Sequence, residues 1–449
     1  MVDLNLFRVF DAMMLHRSAM KISHRNTILI LLTGWVVCGL RAENATPPSS
    51  SAQNVVPGQS DFEVPGPVDA EAFLPKSAFA GKFLFAEKVA ENNGLLNTYR
   101  IKSRAEEYEV TGTEAALQLL QELRAIDELR RISTAKAFTR GLKQSAQGKY
   151  ETGREILRDP VGAAKKIPQG ASRFFGKVKG FFSQDEEGSG EQASTGDAVK
   201  SVLGIEKAKR KLAARLGVDI YSRNPDLQNE LDRVASAMAG GGLALDVGTM
   251  PIGGAVGVSL TAIGVNQTVE SLINDSSADD LRKWNEQKLS ALGADRDLIW
   301  QFLDHPWYSP RQETIITAAL ETIHVNPNLF LETANKALTD QDGRYFQHVA
   351  QLLAVYTGRV GPLKSFRLED GLLCAVDGNG VLVVPVSLDY AIWSEAVSRR
   401  VGALDGLVGG DQGIKGVEIW TDGKISERAK YELGKRSIGY ESISLVKTG

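Results

Sequence analysis

Between Ala237 and Val265 the chain reads AMAGGGLALDVGTMPIGGAVGVSLTAIGV, 29 residues with a single charge, Asp246, and eight glycines. Glycine at this density lowers helix propensity but lets backbones approach closely. Pro251 sits near the middle, between Thr249 and Gly253, and divides the stretch into two short halves. Neither half, at 1.5 Å of rise per residue, spans a hydrocarbon core of about 30 Å. Three arrangements are compatible with this: a buried glycine-rich hairpin, a hairpin able to insert into a bilayer, and one kinked span. Asp246 at a bilayer centre would cost several kcal/mol, which weighs against the last.

The N-terminus constrains location. Lys21, His24 and Arg25 precede the apolar run TILILLTGWVVCGL, and Leu40-Arg41-Ala42 ends on a small residue. That is the layout of an export signal. Cleavage after Ala42 is expected, with Met20 as the start of a well-proportioned signal. Of the two cysteines, Cys38 lies in the signal, so the mature chain keeps only Cys374 and has no intrachain disulfide. The fold must be held by packing. A formal net charge of −3 gives no reason to expect nucleic acid as a partner.

Residues 43–70 are rich in Ser, Pro, Asn and Gln and read as a tether. Residues 71–158 predict a small unit of three strands (GKFLFAEKV, LLNTYRIKS, EEYEVTG), with a tight turn at Asn93-Gly94. A helix follows, opened by a capping box of Thr111 and Glu114, with Leu119, Leu123, Ile126 and Leu129 on one face. Residues 159–275 combine a basic amphipathic helix, an acidic hinge and the glycine-rich segment. In that helix Phe174, Phe175, Phe181 and Phe182 share a face flanked or opposed by Arg173 and Lys177, the pattern of a helix lying in a membrane interface.

Residues 276–362 predict a bundle of short helices with starts at Ser277, Asp295, Ser309-Pro310, Asn326-Pro327 and Thr339. Residues 363–449 predict an α/β unit: a hairpin on the GNG turn, a helix over Asp389–Arg399, then strand, helix and strand in a parallel βαβ arrangement. The expected fold is thus α+β and mainly helical, with a small N-terminal sheet and a small C-terminal α/β unit.

Catalytic signatures are scarce. GxSxG, HExxH, clustered Cys/His spacings and a GxGxxG between strand and helix are all missing from the sequence. His305, His324 and His348 fall on separate elements, and Cys374 falls in a strand as a small hydrophobe. No metal and no cofactor is expected. Loops at the carboxyl ends of parallel strands carry ligands, which makes Asp422, and with it Asp389, the candidate catalytic residues. The leading expectation is an exported, non-catalytic protein associated with a membrane surface or an envelope protein. Two alternatives stand beside it: a pore-forming-type effector using residues 237–265, and a hydrolase or nuclease-like activity in the C-terminal unit. The oligomeric state is not encoded in any of these features.

Overall fold

A computed structural model describes residues 61–104, 106–134, 192–239, 258–259, 267–410, 413–445 and 447–448. The stretch expected to form a basic Phe-rich helix, with Arg173, Phe174, Phe175, Lys177, Phe181 and Phe182, lies outside the described residues, as does the expected export signal.

The N-terminal unit holds β1 (Gly66–Asp69), β2 (Phe85–Ala86), β3 (Val89–Asn92), β4 (Asn97–Lys102) and β5 (Glu107–Thr111), all antiparallel. Five strands replace the expected three. The first is edge strand β1, paired only to β3, where Pro67 removes no interior ladder bond. Composition assigns it to the tether for that reason. The second, β2, is a two-residue piece that shares one edge of β4 with β3. The β3–β4 turn forms at Asn93-Gly94 as expected: Gly94 takes a φ of 108° and Asn93 Oδ1 accepts from the amides of Leu95 and Leu96.

Helix α1 (Thr113–Thr134) leaves this sheet. It serves two cores, which corrects its expected stripe. Ala116, Leu117 and Leu120 pack on the sheet, while Ala125, Ile126 and Leu129 pack on α2 (Gln192–Leu216) and α3 (Pro225–Ala239). Leu119 and Leu123 are only partly buried. The expected capping box is also absent: Thr111 Oγ1 bonds Thr98 Oγ1 at 2.9 Å instead.

Of the glycine-rich segment, Ala237–Ala239 end α3 and Val258–Ser259 form β6, antiparallel to β14 (Lys447–Thr448); the rest lies outside the described residues. No helix among the described residues is long and apolar enough to cross a membrane.

The bundle follows as α4 (Gln267–Asp275), α5 (Ala278–Ala291), α6 (Arg296–Leu303), α7 (Pro310–Ile323), α8 (Asn328–Ala334) and α9 (Asp340–Arg359). Local chemistry sets its boundaries. Ser277 caps α5, and capping boxes of Ser309 with Gln312 and Thr339 with Asp342 open α7 and α9. Helix α9 is buried on every side from Phe346 to Tyr356, as befits the central helix of the molecule.

The C-terminal unit is a five-stranded sheet in the order β13-β11-β9-β8-β7. Strands β7 (Leu363–Glu369), β8 (Leu372–Asp377) and β9 (Val381–Val386) are antiparallel; β11 (Gly416–Thr421) and β13 (Gly439–Ser442) run parallel to β9. The crossovers are α10 (Glu395–Asp405) and α11 (Glu427–Lys435). Successive parallel strands step in one direction, so right-handed crossovers put both helices on one face. Strand alternation sorts the core accordingly: Leu372, Cys374, Leu382 and Val384 face α10 and α11, whereas Leu373, Ala375, Val383 and Trp420 face α9. The expected helix over Asp389–Arg399 begins later, at Glu395 with Ser394 as its cap. Residues 387–394 are instead a loop carrying β10 (Tyr390–Ala391), which pairs with β12 (Lys424–Ile425).

Candidate functional site

Strands β9 and β11 are parallel neighbours with Val386 opposite Thr421, so Ser387 and Asp422 emerge side by side at the carboxyl edge. Gly423 makes the approach possible. A Cβ there would stand 2.1 Å from the Leu388 carbonyl oxygen and 2.7 Å from that of Asp389. Asp422 Oδ1 accepts from the Leu388 amide at 2.8 Å, and Oδ2 accepts from the Ser387 hydroxyl at 2.8 Å.

His348 reaches this edge from α9. Its Nδ1 lies 2.6 Å from Asp422 Oδ2 and 2.8 Å from Ser387 Oγ, and its Nε2 forms an ion pair with Glu114 Oε2 of α1. Burial alone would favour the neutral ring. Glu114, and then Asp422, outweigh that and lift the imidazole pKa to about 10, so the ring is charged at neutral pH. Burial would raise Glu114, but His348, then Arg344 and Arg311, hold it below the usual carboxylate range. Arg344 itself pairs with Asp340 at 2.9 Å.

Asp389 joins the N-terminal unit to this edge. Its Oδ1 accepts from the Thr113 amide, at the start of α1, and its Oδ2 from the Asn97 amide, both at 2.8 Å. It thus supplies, from 276 residues away, the negative charge that favours a helix N-terminus. Burial pushes its pKa up to about 6 against these donors, with Asp422 adding to the rise. The amides of Asp389, Tyr390 and Ile392 donate to the Leu95 and Gly94 carbonyls, which seats the β3–β4 hairpin on the loop after β9.

Beneath that hairpin lies a cavity of about 270 Å³. Leu372, Val384, Val386, Val401, Leu404 and Leu433 are among its apolar lining, and Leu95 and Leu96 belong to its hairpin side. Ser387, Asp389, Asp422, His348 and Glu114 form its polar part. Glu114, Arg344 and His348 also border a second, polar cavity of about 80 Å³. There Arg311 grips Glu270 through both guanidinium nitrogens.

Both expected candidates, Asp389 and Asp422, therefore meet in one cavity. Glu114, Ser387 and His348 were not singled out by the sequence. Ser387 could have been, since it follows the same kind of parallel strand as Asp422. The other histidines stay apart: His305 packs on Tyr308, and His324 ends α7 in a left-handed conformation. Cys374 is fully buried, with its thiol pushed up to about 12 by burial.

The arrangement restricts the chemistry. With both nitrogens protonated, His348 has no lone pair to take the Ser387 proton. No group of three or more His, Cys, Asp and Glu among the described residues is arranged to hold a metal ion. No family model matches the chain, and no curated protein or solved structure matches it either.

Proposed function

We propose that this chain is an exported, non-catalytic binding protein that takes a small ligand with an apolar body and a polar head into the cavity at the carboxyl edge, and that it works at a membrane surface or beside an envelope protein. One observation carries the reading: an apolar hollow that terminates in mutually paired charges around the buried His348, where a core would ordinarily be close-packed. Apolar walls of this kind bury little of their surface until a hydrocarbon body covers them. Export and surface association rest on the signal-like N-terminus and the basic Phe-rich stretch. Native mass spectrometry of the purified chain, before and after organic extraction, tests the binding claim. An extractable small molecule, or reloading by added short-chain amphiphiles, is expected; neither would be seen if the hollow is not a ligand site.

A second reading, a hydrolase at the same edge, is favoured by the 2.8 Å approach of Ser387 Oγ to His348. The charged ring and the engagement of the Ser387 proton by Asp422 oppose it at neutral pH. Labelling of Ser387 by a fluorophosphonate at pH 7 would revive this reading; the binding account expects none. Pore formation by residues 237–265 would have to release β6 from β14.

A further inference from the structure

We infer that the ligand's head is an ammonium group, so that the cavity takes a small apolar amine. This rests on the reading of the cavity as a ligand site and specifies what that site selects. The first ground is hydrogen-bond supply. Asp422 Oδ2 is filled by the Ser387 hydroxyl and His348, but Asp422 Oδ1 and both Asp389 oxygens each accept from one backbone amide and keep further lone-pair capacity. The donors around them are engaged: the Ser387 hydroxyl on Asp422, His348 between Asp422 and Glu114, and Arg344 on Asp340. A head entering here meets acceptors and must bring hydrogens. A carboxylate or phosphate brings only lone pairs.

The second ground is charge. Glu114 and Asp422 share the His348 ring, but the buried Asp389 carboxylate is met by the amides of Asn97 and Thr113 and is in no ion pair among the described residues. It stands without a cation at the polar part of a mostly apolar space, where an unpaired charge is expensive. An ammonium supplies one positive charge, up to three donors and no lone pair, while its hydrocarbon body covers Val384, Val401 and Leu404.

Isothermal titration of the whole chain with n-hexylamine, n-hexanol and n-hexanoate separates the possibilities, because the three share a body and differ in the head. The expected result is a Kd for hexylamine at least about tenfold below that for hexanol, with no measurable binding of hexanoate. Hexanol or hexanoate binding as tightly as hexylamine would overturn the head assignment and leave the ligand site standing. If none of the three binds, the ligand-site reading falls with it. In Asp422→Asn the preference for hexylamine over hexanol should shrink about tenfold, and Asp389→Asn gives the same comparison should that variant fail to fold; an unchanged preference in the folded variant would overturn the assignment.

Discussion

The two faces of the C-terminal sheet are built from the same strands yet end differently. Toward α9, Leu353, Tyr356, Leu373, Ala375, Val383 and Trp420 fill the space, with Tyr356 and Trp420 in edge-on contact at 5.1 Å. Toward α10 and α11, Leu372, Val384, Val401, Leu404 and Leu433 are just as apolar but border a hollow. Hydrophobic composition alone therefore does not distinguish a core from a pocket. What does so here is where the charged groups converge: His348, Asp389, Asp422 and Glu114 meet at the carboxyl edge of β9 and β11.

The largest effect should come from the residue that bridges the two regions. His348→Ala leaves Glu114 and Asp422, both partly buried, without their shared cation and should cost up to about 3–5 kcal/mol in urea unfolding. The same ring sets a pH signature. Its folded-state pKa, about 10, lies above the ordinary 6.5, so its contribution is complete below about pH 6.5 and fades as pH rises through 10. Unfolding midpoints should fall across that window in the parent chain and flatten in His348→Gln; parallel curves would mean that the ring is not the charged link described.

Next in size, Leu353→Ala on the filled face should cost about 2–5 kcal/mol, whereas Leu404→Ala beside the hollow should cost clearly less, having fewer contacts to lose. Equal losses would erase the contrast between the faces. A smaller effect is expected at the turn: Gly423→Ala drives a methyl against the Leu388 carbonyl and should cost about 1–3 kcal/mol while weakening ligand binding through displaced Asp422. Unchanged binding in that variant would detach Asp422 from the site.

Much of the fold was legible because local chemistry fixes it. The Asn93-Gly94 turn and the Ser309 and Thr339 capping boxes follow from residues within a few positions of each other, and the parallel β11-α11-β13 unit follows from three consecutive elements. Asp422 was legible through a rule about strand ends. Glu114 was read as half of a local cap, but the cap belongs to Asp389 and Glu114 turns to His348. Asp389 was read inside a helix because its role depends on Asn97, 292 residues away. His348 gave no signal at all: a histidine in an apolar helix looks the same whether or not two distant carboxylates await it. Such convergence is a property of the packed chain and is invisible to spacing.

The measurement that tests the central claim most directly is Val401→Phe, read by unfolding and by hexylamine titration together. Val401 is buried and lines the hollow. If the hollow is a ligand site, the larger side chain fills it: stability is kept or raised, and binding is lost. A loss of about 1–3 kcal/mol, as the same insertion at Val383 on the filled face should give, would mean that there is no space to fill and would contradict the account.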